Sequence, residues 1–170
     1  MEMLSPFLLV RFGLLGLLDR QALVRASYFA PMEGRERAAY WAFQLMTALI
    51  LALMLLLPVR MQPCSVFILG VLLYLAGLAL LGAAVVAYAH PADSGLNRGG
   101  VYRWSRNPMY VAYFLLFCGC ALLTQSALLL AAAVVFQLAA HIIIRAEERW
   151  CLARFGREYA WYMRKVRRYF

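Results

Sequence analysis

The chain has 170 residues, 65% of them hydrophobic and 15% charged, with a formal net charge of +9. Soluble domains run nearer ~45–50% apolar and ~25% charged. This composition therefore excludes an ordinary soluble globule and points to an all-α, polytopic membrane protein. The positive charge then speaks for cytoplasmic loops facing lipid phosphates, not for nucleic acid.

A helix needs about 20 apolar residues to cross a hydrocarbon core of ~30 Å. The first candidate span, Leu4–Leu18, is short and interrupted by Arg11, so it is expected to tilt or to lie at the interface. No cleavable leader is expected, because Glu2 stands where a basic start belongs and no small-residue cleavage site precedes Asp19. The second span is Ala38–Val59. The third is Cys64–Ala89, in which Gly70, Gly77 and Gly82 permit close helix packing. The apolar run from Met109 to Ile144 is too long for one crossing, and Thr124-Gln125-Ser126 interrupts it. It reads as a hairpin, Pro108–Leu123 out and Ala127–Ile144 back. From Arg145 the chain becomes amphipathic, as expected of a cytoplasmic helix at the membrane surface. About five spans thus form a single domain over residues 1–170, with three N-terminal spans in 1–89 and a loop, hairpin and tail in 90–170. Cys64, Cys118, Cys120 and Cys151 form no C-x-x-C pair and read as apolar packing residues, with no metal expected.

Orientation follows from the basic residues. Fifteen of the 17 lie in segments 19–37 (Arg20, Arg25, Arg35, Arg37), 90–107 (Arg98, Arg103, Arg106) and 145–170. All three segments fall on one side if spans two and three form one hairpin and spans four and five another. The positive-inside rule then puts the N-terminus outside and the C-terminus in the cytoplasm. The membrane would be the inner membrane of a bacterium or the endoplasmic reticulum of a eukaryote.

Three polar features sit on that side. In "GGVYRWSRNPMY", Gly99-Gly100 permits a close approach, Asn107 suits an N-cap and Pro108 the first helical position. Arg103 and Arg106 either snorkel to lipid phosphates or face a ligand. Glu147-Glu148 lies one turn past the fifth span. Glu148 can pair with Arg145 at i,i+3, whereas Glu147 has no local partner. Tyr159 and Tyr162 share a helical face in the tail, as anchors or as pocket walls. The topology brings the two ends of the hairpin together. A pocket edge with guanidinium, amide, carboxylate and phenol groups suits a zwitterion with an extra cation. Arg106 would pair a carboxylate, Glu147 or Glu148 an ammonium, and tyrosine faces a sulfonium. That ligand is S-adenosylmethionine.

The spaced set "GVYRWSRNPMY", an apolar hairpin and "EERWCLARFGREYAWYMRKV" resembles the integral-membrane methyltransferases related to isoprenylcysteine carboxyl methyltransferase and phospholipid N-methyltransferase. The resemblance covers residues 90–168. It implies cofactor contacts from Gly100, Tyr102, Arg106, Asn107, Pro108, Tyr110, Glu147, Tyr159 and Tyr162, and catalytic roles for Arg106, Glu147 and Glu148, with Gly156 in a supporting place. Two departures stand out. Asn107 replaces the usual histidine, which removes a proton role, and Val166-Arg167-Arg168 lacks the usual proline.

The implied reaction is methyl transfer to a lipophilic acceptor reached from the bilayer: a lipid amine, a prenyl-cysteine carboxylate or a thiol. A carboxylate or thiolate needs no base, whereas an amine must lose a proton to Glu147 or Glu148. The rivals are a membrane reductase of the sterol-reductase type, for which the chain is short, and a non-enzymatic scaffold. No strand followed by G-x-G-x-x-G is present, which excludes a Rossmann-type methyltransferase.

Overall fold

The computed structural model describes residues 3–19, 30–61 and 65–170. Arg20, Arg25 and Cys64 of the sequence reading lie outside the described residues. Six helices stand among those described: α1 (Leu4–Leu18), α2 (Arg35–Leu56), α3 (Ser65–Ala89), α4 (Pro108–Thr124), α5 (Ala127–Phe155) and α6 (Arg157–Lys165). A 3-10 turn, Gly100–Arg103, precedes α4. There is no strand among the described residues; an isolated parallel bridge joins Ser105 to Arg167. Three helices, α2, α3 and α5, are long and apolar enough to cross a membrane. The other two apolar helices are shorter: α4 has 17 residues, roughly 25 Å, and α1 is shorter still.

Local chemistry sets the element ends. Pro108 opens α4, where a missing N–H costs nothing. Gln125 closes it in the left-handed conformation at φ 51°. Ser126 then caps α5 by accepting the Leu129 N–H at 3.2 Å. The expected change of helix at Arg145 does not occur. "RAEERWCLARF" contains mostly good helix formers, so α5 runs on for 29 residues, roughly 44 Å, well beyond a ~30 Å core. The break falls at Gly156 (φ 51°, ψ −121°), a backbone conformation that a Cβ disfavours.

Packing follows the small residues. Helix α3 lies mainly on α4, α2 on α5, α4 on α5, and α1 along α3. A Cβ on Gly77 would stand 2.6 Å from the Leu116 nitrogen, and one on Gly119 would stand 2.5 Å from the Tyr74 nitrogen. The α3 and α4 backbones therefore touch, as small residues permit in apolar surroundings. Gly70 is also tight, 3.1 Å from Leu122, but Gly82 meets only a Val10 methyl at 3.9 Å. Of the three glycines expected at the interface, Gly82 is thus loose, and Gly119 was not anticipated. Phe43, Phe117 and Phe136 fill the centre, Phe43 stacking on Phe136 at 4.6 Å.

Candidate functional site

Antiparallel packing of α4 on α5 places the start of one beside the far end of the other. The RNPMY stretch and the glutamate pair meet there. Glu148 is 5% exposed although charged. Arg106 donates to it through Nη2 at 2.7 Å and Nε at 3.2 Å. Arg168 donates from the other side, Nη2 to Oε2 at 2.7 Å and Nε to both oxygens at 3.1 Å. The Glu148 carboxylate beside Arg168 holds that guanidinium above its ordinary range. The expected local pair, Arg145 with Glu148, is not the one formed. A buried carboxylate between two guanidiniums gains more than an exposed i,i+3 pair on a helix surface.

This ion cluster ties the tail to the hairpin. Arg106 Nη1 donates to the carbonyls of Met163 and Val166. The Arg106 N–H donates to Arg167 O at 2.9 Å. Ser105 Oγ and Asn107 Nδ2 both donate to Arg168 O. Asn107 thus occupies the cap position of α4 without capping it; its side chain is used on the tail. Four of the five Arg106 N–H donors have protein partners. Arg106 is buried among them and does not snorkel, whereas Arg103 is exposed. A ligand carboxylate would have to displace Glu148 to take Arg106 bidentately.

Glu147 has a different surrounding. It accepts a hydrogen bond from Tyr110 Oη at 3.1 Å, and no Lys or Arg among the described residues pairs with it. A carboxylate offers about four acceptor sites, so Glu147 keeps capacity for a further proton donor. Tyr110 stands edge-on to Tyr113 at 6.4 Å.

The loop and tail close the other side. Tyr162 Oη donates to Tyr102 O at 2.6 Å, and the Tyr159 and Tyr162 rings lie 5.9 Å apart. They pack against Cys151 and Leu96, and Cys151 is one turn beyond the glutamates on α5. Burial pushes the phenols of Tyr102, Tyr159 and Tyr162 up, so they stay neutral and offer uncharged ring faces. Gly100 (φ 53°) turns towards α3, where a Cβ would meet Ala87 at 2.9 Å. It lines a separate open cleft of about 730 Å³ with His90, Arg103 and Trp104. The structure brings together Arg106, Asn107, Tyr110, Glu147 and Glu148, and sets Gly100 facing another surface.

Sequence reasoning missed Arg168. Its signal was the Val166-Arg167-Arg168 end, noted there only for its missing proline. It missed Ser105 too, a buried hydroxyl inside the quoted motif. For S-adenosylmethionine the residues fit in part. The spare carboxylate of Glu147 and the neutral tyrosine faces suit its cationic groups, and Arg106 is already engaged.

The fold and this cluster define an integral membrane protein with a polar site at one end of a helical hairpin. The family model for phospholipid methyltransferases matches residues 59–158, more than half of the chain, and the chain belongs to that family. This makes it a membrane methyltransferase of lipids. No curated protein and no solved structure matches it. The matched region contains Arg106–Tyr110 and both glutamates, and ends before Tyr159, Tyr162 and Arg168.

Proposed function

We propose that this protein transfers a methyl group from S-adenosylmethionine to a lipophilic acceptor entering from the bilayer. The observation that carries the reading is the contrast between adjacent carboxylates. Glu148 is spent on Arg106 and Arg168, while Glu147 meets only a phenol among the described residues and can take a proton. Bound S-adenosylmethionine would supply the electrophilic methyl group. Tyr102, Asn107, Pro108, Tyr110, Glu147, Tyr159 and Tyr162 would wall its site, with the Arg106–Glu148–Arg168 cluster positioning the tail over it. With an amine acceptor, Glu147 takes the departing proton as the nitrogen lone pair becomes available. Burial under the tail excludes water, and held orientation lowers the barrier.

In this reading α1 to α5 all enter the membrane, α6 lies at its cytoplasmic surface, and the N-terminus is outside. The basic clusters support that arrangement.

The test is a tritiated methyl transfer assay on total membrane lipids, with the product identified by mass spectrometry. Calorimetry with S-adenosylhomocysteine and with NADPH accompanies it. A labelled lipid and binding of S-adenosylhomocysteine alone are expected. Binding of NADPH alone would turn the reading to a reductase, and binding of neither to a scaffold.

A further inference from the structure

Arg11 entered the sequence reading only as an interruption of the first apolar segment, and the site described above leaves it unused. It sits in a π-helical turn, Leu9–Leu14, within α1; such turns recur at functional sites. Its neighbours locate it. Phe7 packs edge-on to Tyr113 of α4 at 6.0 Å, and Val10 faces Gly82 of α3. Tyr113 contacts Tyr110, which donates to Glu147. Phe7, about one helical turn before Arg11 on α1, thus packs on the same group of phenols that carries the spare carboxylate.

The guanidinium is unfinished. Its Nη1 is buried and has no hydrogen-bond partner among the described residues. Among the described residues it meets the ring of Phe12, 5.5 Å from Cζ, which attracts the cation but accepts no ordinary hydrogen bond. Buried donors normally find acceptors, and ionisable groups within apolar segments mark ligand sites and pathways. Arg106 has four of its donors committed to protein, and Arg168 is held on Glu148.

We propose that Arg11 is an anion-binding residue of this site and pairs with an oxyanion of the bound ligand, a carboxylate or a phosphate. With Glu147 it gives the site separate places for the negative and positive ends of a zwitterion. The proposal rests on the methyltransferase reading. A carboxylate would come from the cofactor, a phosphate from an acceptor phospholipid.

The experiment uses the full chain in detergent, as wild type, R11K and R11M. Affinity is measured for S-adenosylhomocysteine and for a short-chain phosphatidylethanolamine, with the matching uncharged diacylglycerol as control. Melting temperature is taken without ligand. In R11M one of the two charged ligands should lose affinity at least tenfold, while R11K loses less and diacylglycerol binding does not change. Loss for S-adenosylhomocysteine assigns the carboxylate, and loss for the phospholipid assigns the phosphate. The ligand-free melting temperature of R11M should stay level or rise, since no protein hydrogen bond to Nη1 is lost. Unchanged affinity for both ligands in R11M, with wild type binding them, overturns the role of Arg11 alone. So does a ligand-free melting temperature of R11M lowered by more than a few degrees, which would make Arg11 a structural residue. Wild type that binds neither charged ligand overturns the methyltransferase reading together with it.

Discussion

Glu147 and Glu148 are consecutive residues with opposite surroundings, and their substitutions should separate cleanly. Glu148→Gln leaves Arg106, 8% exposed at its side chain, without its anion. Breaking a buried pair costs roughly 3–5 kcal/mol, so the melting temperature should fall and the tail should become sensitive to protease. A variant as stable as wild type would show that the cluster holds nothing together. Glu147→Gln should fold normally, because only the Tyr110 hydrogen bond is altered. With S-adenosylmethionine saturating, its turnover with an amine acceptor should drop about 10²–10⁴-fold, the usual span of a general base. A thiol or carboxylate acceptor needs no base and should lose far less. Equal losses on all acceptors would remove the base role.

The close contact of α3 and α4 depends on glycine. Gly77→Ala and Gly119→Ala each bring a Cβ within 2.6 Å of backbone atoms. Overpacking of this kind costs typically about 1–3 kcal/mol, and backbone atoms yield less readily than side-chain tips. Gly82→Ala, with its nearest neighbour at 3.9 Å, should leave the melting temperature unchanged and serves as control. If all three behave alike, the helices do not touch as described. At the junction of α5 and α6, Gly156 at φ 51° sets the direction of the tail. Gly156→Ala should cost about 1–3 kcal/mol, because φ 51° with ψ −121° is a backbone region that a Cβ disfavours, read as a lower melting temperature with the Arg168 clamp loosened.

For the whole molecule, the basic residues argue for one orientation. Asp93 in the loop before α4 and Gln125 between α4 and α5 are both exposed. Cysteines placed there, in a background without the native thiols, should react with an impermeant maleimide from opposite faces: D93C from the cytoplasm, Q125C from outside. Labelling of both from one face would break the α4–α5 hairpin topology.

Much of the fold was legible because helix length and apolar run length are the same quantity in a membrane. Leu4–Leu18, Ser65–Ala89 and the turn around Gln125 follow from hydropathy and turn chemistry alone. The continuation of α5 to Phe155 was not, since a change of polarity looks like a boundary when nothing in the residues breaks a helix. The neighbourhood of RNPMY and the glutamates was also legible, because a hairpin must return its ends to one side. The partners within it were not. By sequence Glu148 has Arg145 at i,i+3, yet Arg106 and Arg168 take it across 42 and 20 positions. That choice depends on which cations the packed helices and the folded-back tail bury beside it. Composition and spacing by themselves determined a helical membrane protein with a polar hairpin end. Only the tertiary structure decided which carboxylate is spent, which is spare, and which buried guanidinium nitrogen still lacks a hydrogen-bond partner among the described residues, because these are distances between groups far apart along the chain.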